Sequence, residues 1–184
     1  MSEAVGTQPT RQSQELSIFH DVAKALTSSL DLDSILQTIM EKMAEYFRPD
    51  NWSLLLIDEE RNDLYFALAV GPAAEALKKV RLKMGEGIAG YVAQHGENVI
   101  VPDVSKDVRF AKRVDEVTKW ETRSIVCMPL RSERRTVGVV QLINANLAHF
   151  NDMEQFFLQS LCDYAAVAIE NSRNIDKLQR PVAH

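Results

Sequence analysis

The sequence predicts an α+β domain, with one antiparallel sheet, terminal helices on one face, and loops and short helices over the other. Three observations carry this. The apolar period changes from about 3.6 to 2 after Pro49 and returns to about 3.6 after Asn151. Between those points the elements run hairpin, cross-connection, hairpin, without the strand–helix alternation that a parallel sheet needs. The glycine fingerprint Gly85-Glu86-Gly87-Ile88-Ala89-Gly90 lies between an edge-type strand and a short helix, which is the wrong setting for a dinucleotide-binding turn.

Residues 1 to about 14 are polar and contain Gly6 and Pro9, so a disordered tail is expected, with one domain over 15–180 and a short tail at 181–184. Leu16, Phe19, Ala23, Leu26 and Leu30 are spaced as one stripe of a first helix. Asp31 or Asp33 can cap a second helix carrying Leu32, Leu36, Ile39, Met43 and Phe47, which Pro49 stops. Trp52 to Asp58 and Leu64 to Val70 then read as two strands around the polar turn 59–63.

Lys78 to Lys83 alternate apolar and basic residues, as a half-exposed edge strand does, and the basic positions protect it against pairing. The helix after the glycines spans about two turns, Ile88 to Gln94, before Gly96, and a strand resumes near Val99. Asp103 follows Gly90 by only 13 positions and comes after a proline, so the distant acid of the dinucleotide fingerprint is missing too. Asn98 to Val101 is a short strand. Ser105 to about Lys119 is charged and weakly amphipathic, in the manner of a mobile cover. Arg123 to Leu130 and Thr136 to Asn144 form a hairpin across 131–135. Asn151 and Glu154 open a long last helix from about Asp152 to Gln179, ahead of Pro181. Its seam of Leu158, Leu161, Ala165, Ala168, Ser172 and Ile175 continues into a polar half, a pattern that favours a dimer interface formed with the first helix over the alternative of a helix packed flat on its own sheet.

The 184 residues, 46% of them apolar, suit one core. A net charge of −5 disfavours nucleic acid and anionic membranes as partners. Cys127 and Cys162 are far apart and form no C-x-x-C pair, so both read as buried thiols in a reducing compartment. With no signal region and no run of 18 apolar residues, a cytoplasmic protein is expected.

Several separate motifs, in order, resemble the GAF domain family. These are Leu82 to Val92, Val99 to Val104, Thr122 to Leu130, Val137 to Asn144, and Phe150 ahead of the last helix. The resemblance covers about residues 15 to 178. It implies a PAS-related antiparallel sheet of about six strands, a pocket on one face and dimerising helices on the other. It also implies a sensory or regulatory role, with ligands that range across the family from cyclic nucleotides to tetrapyrroles and metabolites. Cyclic-nucleotide binders of the family carry an Asn-Lys pair, a later Phe and an Asp-Glu doublet. Here Asn144 and Phe150 remain, Ala145 replaces the lysine, and Glu154-Gln155 occupy the doublet.

No hydrolase, zinc-protease or P-loop motif is present, and His20, His95, His149 and His184 are scattered, so no catalysis, metal or cofactor is expected. The residues expected to border the pocket are Trp52, Tyr91, Asp103, Phe110, Thr122, Arg123 and Cys127. Each also has a plainer structural role, such as a turn cap for Asp103 or an ion pair for Arg123. The expected protein is a homodimeric sensor of an unidentified small molecule, signalling to an output partner that is either a separate protein or another part of a longer chain. Its rivals are a ligand-free scaffold for dimerisation and a cyclic-nucleotide-binding domain.

Overall fold

The computed structural model describes residues 10–28, 31–133, 135–148 and 150–179. Residues 1–9 of the expected N-terminal tail, the 181–184 tail, Leu30, His149 and His184 lie outside the described residues. Helix α1 spans Arg11–Thr27 and starts earlier than expected, because the Thr10 side chain accepts a hydrogen bond from the Ser13 amide. Its buried side is Ile18, Val22 and Ala25. The predicted stripe sits beside that side: Leu16 is 70% exposed and Ala23 is exposed, while Phe19 and Leu26 are half-buried. Helix α1 carries two adjacent apolar stripes of equal spacing, and spacing alone does not choose between them.

Helix α2 spans Leu32–Phe47, with Asp31 accepting from the Ser34 amide at 2.8 Å and Arg48 in the left-handed region as its C-cap. Strands β1 (Asn51–Asp58) and β2 (Asp63–Val70) form the first hairpin. A short helix not foreseen in the sequence, α3 (Ala74–Leu77), leads to the edge strand β3 (Arg81–Lys83). Helix α4 (Gly87–His95) ends on left-handed Gly96, and β4 (Val99–Val101) follows. A 3-10 turn at 104–106 and helix α5 (Lys112–Thr118) form the cover, and no residue of α5 is buried. The second hairpin is β5 (Ile125–Arg131) with β6 (Thr136–Ile143), and α6 spans Asp152–Gln179. The Asn151 side chain caps α6 by accepting from the Glu154 amide at 3.0 Å.

The six strands form one antiparallel sheet in the order β3-β2-β1-β6-β5-β4. Alternation along the strands sorts two cores. Leu54, Val126, Met128, Val140 and Leu142 pack under α1, α2 and α6. Leu55, Leu64, Phe66, Ile125, Cys127 and Val139 face α3, α4 and the cover. The β1–β6 contact is very close at Gly138, where an added Cβ would lie 2.2 Å from the Leu55 carbonyl oxygen. Arg135, at the tip of the second hairpin, pairs with Glu59 of the first turn and with Glu170 of α6.

The predicted seam of α6 is corrected. Leu158, Leu161, Ala165 and Ala168 are buried in the chain's own core, where the helix lies flat on the sheet. The exposed apolar positions of α6 are Met153 and Phe156, both 67% exposed, with Tyr164 and Val167. The side chain of Ile175 lies outside the described residues.

Candidate functional site

A cavity of about 60 Å³ lies between the sheet and the cover. Its floor is polar. Ser53 and Gln141 are directly opposed across β1 and β6, and Asn51 is opposed to Ile143. Asn51 is 2% exposed; its Oδ1 accepts from the Ala73 amide at 2.9 Å, while Nδ2 has no partner. Gly71 makes this geometry possible, since at φ +116° any Cβ there would meet Asn51 Oδ1 at 2.4 Å. The walls are Phe66, Leu77, Leu82 and Ile88, and the roof is Phe110, Val114 and Trp120. The Trp120 indole Nε1 is buried without a partner. Buried polar groups are nearly always paired, so two orphan donors on one cavity are informative.

Helix α4 opens onto the same cavity. Glu86 does not cap it, and Gly87, Ile88 and Ala89 line the wall. The Glu86 carboxylate instead accepts from the Lys83 amide at 2.9 Å and from Arg113 of α5 at 2.6 and 3.0 Å. Arg113 also donates to the Arg81 carbonyl at 3.1 Å. On the other side of α5, Asp115 accepts from the Thr122 hydroxyl at 2.6 Å and its amide at 2.8 Å. Two polar clamps therefore hold the roof. Asp115 is the one charged side chain on the cavity wall.

The Lys83 amide first, and Arg113 second, hold Glu86 below its ordinary value of 4.5. A depressed carboxylate stabilises the closed roof fully above its unperturbed value and loses that contribution as pH falls through its own lower one. Hydrogen exchange of residues 112–118, corrected for intrinsic rates, is therefore expected to speed up below about pH 4.5. Asp58, Asp63, Asp103 and Asp107 are also depressed, so the control is Glu86→Gln, which should remove most of the acid dependence. An identical pH profile in that variant rules out Glu86 as the acid-sensitive clamp.

Of the residues expected at the pocket, Phe110 and Thr122 line the cavity. Trp52 packs on the helix face, because alternation along β1 sends 51 and 53 to the cavity and 52 and 54 away. Tyr91 stacks on His95 at 4.1 Å with the Arg109 guanidinium 4.7 Å above its ring. Asp103 caps the 3-10 turn through Ser105. Arg123 is exposed beside Asp50 at 3.5 Å. Cys127 faces the cover side but is wholly buried in the core beside the cavity.

The sequence reading missed Asn51, Ser53, Trp120 and Gln141. For Asn51, Ser53 and Gln141 the available signal was a polar side chain within an otherwise apolar strand; Trp120, between α5 and β5, had none.

Asn144, at φ 56°, accepts from the Arg123 and Ser124 amides and donates to Asp50 and the Glu121 carbonyl, tying the roof's exit to the sheet. The Glu154 carboxylate, 5% exposed, pairs with Arg11 of α1. Tyr46 joins this cluster by donating to Glu15 at 2.7 Å. Burial, followed by Glu15, raises its pKa to about 12. Cys127 and Cys162 are free, and burial raises both thiols. Among the described residues no group of three or more His, Cys, Asp or Glu could hold a metal ion, and no helix is long and apolar enough to cross a membrane.

A sequence-family model described as GAF domain matches residues 31–169. The chain is 30% identical, over 89% of its length, to dual 3',5'-cyclic-AMP and -GMP phosphodiesterase 11A of Takifugu rubripes. It is 29% identical, also over 89%, to a probable 3',5'-cyclic phosphodiesterase, pde-5, of Caenorhabditis elegans. It spans only 19% and 23% of those relatives. The GAF domain of a phosphoenolpyruvate-protein phosphotransferase from Coxiella burnetii superposes with a TM-score of 0.80 at 20% identity, over 91% of this chain and 99% of that one. Free methionine-R-sulfoxide reductase from Neisseria meningitidis gives 0.74 at 21% identity, over 95% and 99%.

Proposed function

Because the chain belongs to the GAF domain family, a small-molecule sensory and regulatory fold, we propose that it is a cytoplasmic sensor whose cavity takes a small ligand and whose terminal helices pass occupancy to a second copy and a separate output protein. The observation that carries this reading is the unpaired polar lining, with Asn51 Nδ2 and Trp120 Nε1 both buried and unpartnered on one cavity. A ligand that pairs them orders the roof, which biases the clamps of α5 and the attached sheet. The reading is non-catalytic: both thiols are buried with raised pKa values, which keeps them from acting as thiolates.

The homodimer part rests on a different face from the one the sequence indicated. Leu16 of α1 with Met153, Phe156 and Val167 of α6 leaves large apolar side chains at least half exposed on neighbouring helices, and a second copy would cover them. Phe156→Glu with Val167→Glu is expected to convert the dimer to a monomer in sedimentation. A dimer that persists in this variant would remove the face from the reading.

Cyclic-nucleotide binding is a second reading, favoured by the two phosphodiesterase relatives. The cavity of about 60 Å³ is far below the roughly 300 Å³ and more of ordinary ligand sites, so any nucleotide requires the roof to move outward.

Native mass spectrometry of freshly purified protein tests the whole proposal. Two chains plus a reproducible small adduct support the sensor. A bare dimer after incubation with cell extract supports the ligand-free scaffold, and a bare monomer overturns the helical route of signalling.

A further inference from the structure

We propose that the cavity recognises an uncharged, flat molecule with the donor-and-acceptor edge of a cyclic amide or nitrogen heterocycle, rather than a phosphate or carboxylate. The inference rests on the sensor reading above and names its ligand chemistry. The floor offers three uncharged polar side chains on one face of the sheet: Ser53 and Gln141, directly opposed, and Asn51 two residues along β1. Asn51 and Ser53 are 2% and 3% exposed. Among the described residues the Ser53 hydroxyl, the Gln141 amide and Asn51 Nδ2 make no side-chain hydrogen bond, and Trp120, which lines the roof, has its Nε1 buried without a partner.

Asn51 Nδ2 and Trp120 Nε1 can only donate, whereas Ser53 and Gln141 both donate and accept. A ligand satisfying all four supplies acceptors to Asn51 Nδ2 and Trp120 Nε1 and offers either a donor or an acceptor to Ser53 and Gln141. The apolar walls, Phe66 and Phe110 among them, suit the faces of a ring.

Charge decides against an anion. No Lys, Arg or His lines the cavity, and the one charged side chain there is the Asp115 carboxylate. The first turn of α4 favours an anion by roughly 0.3–1 kcal/mol, and up to about 2 kcal/mol where partly buried. Burying an ion with no counter-charge costs several kcal/mol, and Asp115 adds to that cost. A neutral carbonyl oxygen can use the same helix amides without the penalty.

Size agrees. A cavity of about 60 Å³ is under half of the roughly 150 Å³ that holds one benzene ring, so a single ring enters by an outward shift of Phe110 and Val114.

The test follows the side-chain N–H resonances of the full chain in ¹H–¹⁵N spectra, with Trp120 Nε1 assigned by Trp120→Phe and Asn51 Nδ2 by Asn51→Asp. The latter keeps the acceptor for Ala73. Uracil, nicotinamide and hypoxanthine are titrated as uncharged probes, and cyclic GMP and 2-oxoglutarate as anions. At least one uncharged probe is expected to move both resonances to saturation, and Gln141→Leu or Trp120→Phe to weaken it by about tenfold, the upper range for one hydrogen bond. In Trp120→Phe, Asn51 Nδ2 is the reporter.

If an anion saturates these resonances and no uncharged probe does, this chemistry is overturned while the sensor reading stands. If no probe of either kind moves them, and crystals of the protein show only water on the floor, both fall and the scaffold is left.

Discussion

Replacing Gly138 with alanine is expected to destabilise the domain by about 3 kcal/mol, at the upper end of what overpacking costs. The new methyl carbon would stand 2.2 Å from the Leu55 carbonyl oxygen and 3.2 Å from its carbon. Both are backbone atoms of the neighbouring central strand, so no side-chain rotation relieves the clash. Gly138 is opposed to Leu56 on one side and Leu130 on the other, so the strain falls on the middle of the sheet. Urea unfolding should show a lower midpoint with an unchanged slope. A loss below about 1 kcal/mol would mean that the strands separate there more easily than close packing allows.

Removing the Arg11 guanidinium is expected to cost nearly as much. Glu154 is 5% exposed and Arg11 is its only cation among the described residues, so Arg11→Met strands a buried carboxylate. Stranding a buried partner typically costs 3–5 kcal/mol, and Arg11 is itself half exposed, which points to about 2–3 kcal/mol. The discriminating measurement is a double-mutant cycle with Glu154→Gln, in which the Arg11 substitution should become nearly neutral. Equal cost in both backgrounds would show that Arg11 acts through its packing over the Tyr46 ring, 5.6 Å away, instead of through charge.

These two positions differ in how far the sequence disclosed them. The strands, caps and hairpins were legible because period, turn residues and capping side chains are local. Asp31 and Asn151 cap the helices as their positions indicated. Which stripe of α1 is buried was not legible, since Ile18-Val22-Ala25 and Leu16-Phe19-Ala23-Leu26 share a spacing and only the α2–α6 surface selects one. The site was half legible for a related reason. Phe110 of the cover and Thr122 just after it line the cavity, but the face of each β1 residue is set by its pairing with β2 and β6, which sends Asn51 inward and Trp52 outward. The replacement of a lysine by Ala145 was visible, and the loss of its ion pair could be inferred. That Arg11, more than a hundred residues away, takes over the acid is a tertiary fact.

The strand order has a consequence for how the chain is made. Strands β1 to β3 come from the first half of the sequence and β4 to β6 from the second, and within the sheet the two sets pair only along β1 and β6. About 80 residues separate the end of β1 from the start of β6. At synthesis rates of about 5–20 residues per second, β1 waits roughly 4–16 s with one edge unpaired. During that time Leu54, Leu55 and Leu56 are available to any other extended strand. The nascent domain is thus most exposed to aggregation just before its last hairpin emerges, and a translational pause between β4 and β5 would lengthen that interval.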